Sequence, residues 1–344
     1  MRIGIIDADM VYRRKKALMP NLACMKLSAY HKQKGDHVSF CDHADILFFD
    51  KIYISKVFTD TVIPADFNSP NCVFGGTGFF MEKAKPLDYT IEHIMPDYSL
   101  YNGLSEYTTY RDFSIGFTTR GCFRKCPFCV NRVYDRVIPW SDPAEFVDQK
   151  RKYIYLLDDN FLAYGSGWEA ILDKLEATGK RFQFRQGLDI RIMGARQAER
   201  LAKTNYYGDF IFAFDNIADR ELIERKIKLW RKYSDKKTKF YVLSGFYSQD
   251  LDDVISVFER IKILFNYKCY PYIMRHAFYK NSKYKDMYTH IARWINQPQF
   301  AYKKTFRDFC KMERSSERTI NQFEHEHKDV ADKYFDLCLQ STVE

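Results

Sequence analysis

The sequence predicts an α/β protein made of two successive parallel-sheet arrays and a helical tail. Three observations carry that prediction. In the first eighty residues, short apolar strands alternate with crossovers. From Ser114 to His276 a second strand–helix rhythm runs through six strands. Beyond about residue 281 the pattern turns helical and charged. Strands that alternate with crossovers imply parallel pairing.

The bulk numbers fit this class. A chain of 344 residues can hold two ordinary domains, or one barrel with additions. At 46% apolar and 17% aromatic it has ample material for a large core. No low-complexity run or internal repeat interrupts it. Lys and Arg outnumber Asp and Glu by 54 to 45, a mild excess of +9 spread along the chain. That excess allows an anionic partner such as RNA or a phosphorylated substrate, without demanding one. Nine cysteines are too few and too scattered for a disulfide framework. The N-terminus starts directly as a strand, with no signal-peptide h-region. No apolar stretch approaches the ~20 residues that span a bilayer. The expectation is a soluble cytoplasmic protein with no membrane partner.

Taken in order, residues 2–7 read as a buried strand ending in an acid, followed by the basic loop Arg13-Arg-Lys-Lys16. Asn21 is a fit cap for a helix over 22–33, which Gly35 stops. Further strands are expected at 37–41, 50–55 and 71–75. Ligands of such sheets sit beyond the carboxyl ends of the strands, here Asp7, Ser55 and the Gly75-Gly-Thr-Gly78 turn. The crossover between Ser55 and Asn71 is too short for a full helix. His31 and His37 read as surface residues. Residues 81–112 read as an extended linker, with Pro86, Pro96 and many tyrosines.

The second array opens with the apolar segment Ser114-Ile-Gly-Phe-Thr-Thr-Arg-Gly121, a strand running into a loop. That loop carries Cys122, Cys126 and Cys129, spaced C-x₃-C-x₂-C. Three thiolates on one short loop can hold three corners of a cubane iron–sulfur cluster. Full protein ligation needs four, and no fourth cysteine lies close, which leaves one iron open. Zinc sites pair two such ligands with a second pair downstream, and none follows. A helix is expected from Ser141-Asp-Pro-Ala-Glu. The second strand, 153–157, ends in Asp158-Asp159-Asn160-Phe161. Two adjacent buried acids need a cation; the alternative is a solvated turn with a helix cap.

The third strand, 181–185, places Phe182 and Phe184 on one face, with Gln183 and Arg185 on the other. It continues into Asp189 and Arg191, which either pair with each other or face a polar ligand. The fourth strand ends in Asp215-Asn216, and a helix over 220–233 follows with a Leu222/Ile223/Ile227/Trp230 stripe. The fifth is followed by Ser244-Gly245, where a small residue and a glycine allow close approach to the backbone. The sixth holds Pro271, which suits an edge, and ends in Arg275-His276. His276 is either a proton donor or acceptor or a satisfied structural histidine. Tyr272 either donates a hydrogen atom or packs. Helices are expected over 288–295, 305–311 and 321–339, with His325 and His327 solvated.

The cysteine loop resembles the signature of the radical SAM superfamily, and Phe128 fits the aromatic residue usual before the third cysteine. The resemblance covers roughly residues 114–276 well and the first hundred weakly. It implies a partial (βα)6 TIM-like barrel over 113–280. A small Rossmann-like domain over 1–80, similar to a degenerate cobalamin-binding domain, would precede it. A linker over 81–112 would join the two, and a helical extension over 281–344 would close the chain. It implies a [4Fe-4S] cluster on Cys122, Cys126 and Cys129. S-adenosylmethionine (SAM) would bind the open iron, beside Phe128 and oriented by Asp158, Asp159 and Asn160. Arg185 or Arg191 would pair with the SAM carboxylate. Asp189 would lie near, Asp215 and Asn216 would meet the ribose, and Ser244 and Gly245 the nucleoside. The activity implied is reductive cleavage of SAM to start radical chemistry on an unidentified substrate. The electron would come from a reductant such as a ferredoxin or flavodoxin. Alternatives are a cobalamin-dependent methyltransferase, a modifier of RNA or nucleosides, and an iron–sulfur sensor without turnover. The D-x-H-x-x-G motif that ligates cobalt is absent, since Ala-Asp-Met follows Asp7. Cobalamin therefore stays open, with its loss the favoured reading.

Overall fold

The computed structural model describes residues 1–14, 19–65, 67 and 69–339. Lys15 and Lys16 of the basic loop lie outside them. The chain divides into two compact units, residues 1–185 and 186–344.

The first unit opens with β1 (Arg2–Asp7), β2 (His37–Phe40), β3 (Lys51–Ser55) and β4 (Cys72–Gly75). They form one parallel sheet in the order β2-β1-β3-β4. β1 is central because it is apolar on both faces: Ile3, Ile5 and Ile6 are fully buried. Ile5 packs with Cys24 and Leu27 of the helix Leu22–Gln33. Ile6 packs on the other face with Ile46, Ile52, Ile54 and Phe67. Asn21 caps that helix, its Oδ1 accepting from the N–H groups of Ala23 and Cys24. His31 is buried rather than on the surface. Its Nδ1 lies 2.7 Å from Asp36 Oδ2 and its Nε2 3.0 Å from the Tyr53 hydroxyl, so both ring nitrogens are satisfied away from water.

The chain itself fills the β1–β3 side of this sheet's carboxyl edge, while a cavity of about 400 Å³ stays open past the ends of β1 and β2, beside Met10, Phe40, Cys41 and Leu104. The Tyr101 hydroxyl donates to Asp7 Oδ2 at 2.7 Å. Asn21 Nδ2 donates to Ser55 Oγ at 2.9 Å. Asp9 accepts from the Val57 N–H at 2.7 Å and from the Thr61 hydroxyl. Gly76 has φ +101°, and a Cβ there would stand 2.3 Å from the Lys56 carbonyl oxygen. Residues 97–110 fold in over this edge, with Tyr98, Tyr101 and Tyr107 buried and the Tyr101 ring against Phe40 and Tyr107.

The same unit continues with β5 (Phe113–Gly116), β6 (Thr119–Arg120), β7 (Ile138–Pro139), β8 (Tyr153–Leu156) and β9 (Arg181–Phe184). β5, β8 and β9 form a parallel sheet in that order, while β6 and β7 pair as a short antiparallel ribbon. The helix expected from Ser141 is only the turn Pro143–Glu145. Phe146 and Val147 leave it to enter the core, and a Cβ on Gly116 would stand 2.4 Å from the Phe146 ring.

The second unit holds β10 (Phe210–Ala213), β11 (Thr238–Ser244) and β12 (Tyr270–Arg275), parallel and in that order. The helix Arg220–Arg231 buries Ile223, Ile227 and Trp230, three of the four stripe residues. At the edge, Asn296 caps β12 with two bonds, Oδ1 to the Ile273 N–H at 2.7 Å and Nδ2 to its carbonyl at 3.0 Å. Arg260, fully buried, donates through Nη1 to the carbonyls of Phe214, Asp215 and Leu243 and so ties two strand ends together. The expected helix over 321–339 is broken at His327, whose φ of −139° is not helical and whose Nε2 lies 3.0 Å from the Tyr284 hydroxyl. Helices Arg314–Glu326 and Lys328–Tyr334 flank the break.

Burial, with the neighbouring Asp9 adding to it, pushes the Asp7 carboxyl up to about 6 against the bond from Tyr101. Its folded pKa thus lies above its unfolded one. Between about pH 4 and 6 the folded state holds the extra proton, so this group's contribution to stability falls as pH rises through that window. Asp7→Asn should remove a fall on the order of 3 kcal/mol, read as a flatter stability–pH curve in urea unfolding. An unchanged curve would show that folding does not raise the Asp7 pKa.

Candidate functional site

The cysteine loop springs from the β6–β7 ribbon, in which Thr119 faces Pro139 and Arg120 faces Ile138. Gly121 starts it with φ +95°, and a Cβ there would stand 2.4 Å from the Arg136 carbonyl oxygen. Only glycine lets the outgoing and returning chains pass this closely. Cys122, Cys126 and Cys129 are half-buried, and none of them is in a disulfide. A turn bonds the Cys129 N–H to the Cys126 carbonyl at 3.0 Å. Two sulfurs already have donors aimed at them. Cys122 Sγ accepts from Asn160 Nδ2 at 3.2 Å and from the Arg124 N–H at 3.4 Å. Cys129 Sγ accepts from the Asn131 N–H at 3.4 Å. Burial pushes the Cys129 thiol up, the Asn131 N–H pulls it back, and Asp159 and Cys122 push it further up. Phe128 lies half-buried beside it.

The turn after β8 clamps this loop from below. Asp158, 1% exposed, accepts four bonds: from the N–H and hydroxyl of Thr118 at 3.1 and 2.5 Å, and from those of Thr119, both at 2.7 Å. Burial pushes its pKa up to about 6 even though all four donors pull the other way. Asp159 accepts from the Gly121 N–H at 2.7 Å and from Asn131 Nδ2 at 2.5 Å, so it ties both sides of the loop. Asn160 spends its amide N–H on Cys122, while its Oδ1 is buried with no hydrogen-bond partner. Three consecutive side chains thus do three jobs. Two acids are satisfied by the chain, and the amide presents one open acceptor beside a cysteine sulfur. Arg185, at the end of this unit, lies over the Tyr155 ring at 5.1 Å.

Among the described residues, no three His, Cys, Asp or Glu side chains converge into a ready-made metal group. The donor set still fits a cubane cluster. It comprises three thiols outside any disulfide on one eight-residue loop, N–H donors aimed at the Cys122 and Cys129 sulfurs, and an orphaned acceptor beside the first.

In the second unit, Asp189 and Arg191 pair internally: Arg191 Nε lies 2.8 Å from Asp189 Oδ1, and Nη1 lies 3.0 Å from Asp219 Oδ2. Burial pushes the Asp215 carboxyl up to about 6, with Arg260 and Arg191 pulling it down. Asn216 Oδ1 caps the next turn through the Ala218 N–H. Ser244 is buried, and its hydroxyl has no partner. The Gly245 N–H donates to Asp253 Oδ2 at 2.7 Å, and the space a Cβ there would take is held by Tyr279. His276 accepts from the Phe278 N–H at 3.4 Å and packs on the rings of Phe246 and Phe278, and burial lowers its pKa. Tyr272 is exposed, with its ring against Tyr241.

No family model matches the chain, and no curated protein does. Solved structures do. One is TsrM, a radical S-adenosylmethionine methyltransferase from Kitasatospora setae, with cobalamin and a [4Fe-4S] cluster bound. It aligns with a TM-score of 0.55 and 12% identity over 80% of this chain and 72% of that one. The same enzyme with tryptophan and the SAM analogue aza-SAM bound aligns with a TM-score of 0.54 and 13% identity over 79% and 72%. The fold is that of a radical SAM enzyme.

Within the radical SAM fold, sequence reasoning located the cysteines and the Asp-Asp-Asn turn but missed what joins them. Thr118 and Thr119 are the donors to Asp158, and Asn131 is the second anchor of Asp159. The adjacent hydroxyls just before Arg120 were the available signal. Glu92, buried at 6% exposure in a segment read as linker, had none.

Asp158→Ala would leave the buried N–H groups of Thr118 and Thr119 unpaired. It should lower stability by about 2–4 kcal/mol in urea unfolding and speed thiol labelling of the loop. A variant as stable as the parent, with unchanged labelling, would show that the clamp does not hold the loop.

Proposed function

We propose that this chain is a radical SAM enzyme that cleaves S-adenosylmethionine and starts radical chemistry on a substrate yet to be identified. The observation that carries the reading is the open Oδ1 of Asn160, a buried acceptor next to a cysteine-loop sulfur. A buried orphan acceptor calls for a donor, and the SAM ammonium is one. Cys122, Cys126 and Cys129 hold the cluster, and Asp158 and Asp159 hold the loop that presents it. When bound, the cluster supplies the electron that splits SAM into methionine and a 5′-deoxyadenosyl radical. In the second unit Arg191 is committed to Asp189 and Asp219, and the buried Ser244 hydroxyl has no partner. A one-electron carrier such as a ferredoxin or flavodoxin is the partner. No helix among the described residues is long and apolar enough to cross a membrane.

A second reading, cobalamin-dependent methyl transfer, is favoured by the cobalamin bound to TsrM. Against it, the D-x-H-x-x-G cobalt ligand is missing and Tyr101, Asn21 and the Lys56 backbone occupy the β1–β3 side of the first sheet's carboxyl edge, so no step is routed through that cofactor.

The test is anaerobic reconstitution with iron and sulfide, dithionite reduction and chromatography for 5′-deoxyadenosine. The wild type should form it, and a Cys122/Cys126/Cys129→Ala variant should not. A wild type that loads four irons yet neither binds nor cleaves SAM overturns the reading. Hydroxocobalamin should wash away on desalting; one retained equivalent would restore the second reading. Asn160→Ala should weaken SAM binding about tenfold or more, the worth of a bond to a charged donor.

A further inference from the structure

A chain of two buried charges and one half-buried charge runs from the N-terminal sheet to the root of the cysteine loop. Lys26, 3% exposed on the helix Leu22–Gln33, places Nζ 2.8 Å from Glu92 Oε2. Glu92, 6% exposed, turns its other oxygen, Oε1, toward Arg120 Nη2 at 3.8 Å. Arg120 is the last residue of β6, two positions before Cys122. Its guanidinium lies 3.7 Å from the Phe117 ring centre and 5.3 Å from that of Trp140, and its Nε is buried with no partner. Burial pushes the Glu92 carboxyl up, but Lys26 and Arg120 outweigh it, and the net shift is downward. Glu92 is therefore ionised at neutral pH. The neighbouring Glu145 is paired with His93, at 2.7 Å from its Nδ1.

Two cations thus share one buried carboxylate, and the cation nearer the loop is the one left incompletely bonded. Ordinary packing does not require this arrangement. A buried ion pair with an unsatisfied member costs stability relative to an apolar replacement. A cluster on three thiolates is anionic, and its potential responds to nearby charge. Two aromatic faces cover part of the Arg120 guanidinium, which is half-buried, so its field is less screened than that of a fully solvated arginine.

We propose that Lys26, Glu92 and Arg120 are positioning residues that root the cysteine loop and set the reduction potential of the cluster it carries. The proposal rests on the radical SAM reading above. Glu92 is the balance point, because it partly neutralises Arg120 and is itself partly neutralised by Lys26. The N-terminal sheet domain, which holds Lys26, then acts on the cluster through charge.

Opposite signs make the test. Glu92→Gln leaves Arg120 less neutralised and should ease reduction. Lys26→Met leaves Glu92 more negative and should hinder it. In an anaerobic potentiometric titration of reconstituted protein, followed by the electron paramagnetic resonance of the reduced cluster, the reduced-to-oxidised ratio at fixed potential should rise about tenfold in the first variant and fall in the second. Tenfold is 59 mV for a one-electron couple. A purely mechanical tie would lower iron loading in both and leave the potential in place. Shifts of the same sign, or none, with four irons retained would overturn the proposal. Should Lys26→Met fail to fold, Arg120→Lys serves instead. It keeps the charge and should stay near the wild-type potential, so a shift as large as that of Glu92→Gln counts against the idea. A wild type with no cluster signal at all would instead sink the radical SAM reading.

Discussion

The carboxylate of Asp158 is the constraint on which the site depends. It lies in the interior at the end of β8 and takes four hydrogen bonds from two threonines on the strand that leads into the cysteine loop. A buried carboxylate without donors would be costly, and the two threonine N–H groups would be orphans without it. Each side makes the other tolerable, which joins two parallel strands at the one end where the loop departs. Asp159 and Asn160 extend the joint to Gly121, Asn131 and the Cys122 sulfur. The cysteines can then move little relative to β8.

A second joint reaches the loop from the other direction. Glu92 stands between Lys26 and Arg120, and all three belong to segments far apart in the chain. Hydrogen bonds hold the loop root on one side and charge acts on it from the other. The two joints differ in kind. Bonds to Asp158 are short and saturate their acceptor, whereas Arg120 keeps a buried Nε without a partner. A rigid mount and an unbalanced field are what a redox centre with a tuned potential requires.

The first sheet shows how a fold can keep its architecture while its ligand edge is taken over. The order β2-β1-β3-β4 leaves a switch point at the carboxyl ends of β1 and β3, where such sheets bind ligands. Here Asp7, Asn21 and Ser55 lie at that edge, but Asn21 Nδ2 donates to Ser55 Oγ, and the Tyr101 hydroxyl donates to Asp7 and accepts from the Asn21 N–H. Residues 97–110 supply the tyrosines that fill it. The domain also reaches the root of the cysteine loop through Lys26, which pairs with Glu92.

Sequence alone determined the elements whose signal is local. Asn21 before the helix, the strand at β1 and the Ile223/Ile227/Trp230 stripe follow from capping chemistry and periodicity, which act within a few residues. The C-x₃-C-x₂-C loop was legible because all its thiols lie in one short segment. The tertiary structure alone decided which polar groups are spent and which stay open. Asp158 and Asp159 read as ligands for a cation, and the fold gives them threonine, glycine and asparagine partners. Asn160, their neighbour, keeps the free acceptor. His31 read as a surface residue and is buried, because Asp36 and Tyr53 satisfy both its nitrogens. The helix expected at 321–339 breaks at His327, where the ring turns to Tyr284. Glu92 carried no signal at all in sequence. The physical reason is common to these cases. Hydrogen bonding and charge pairing are settled between residues distant in the chain, and a pattern of neighbours holds no record of them.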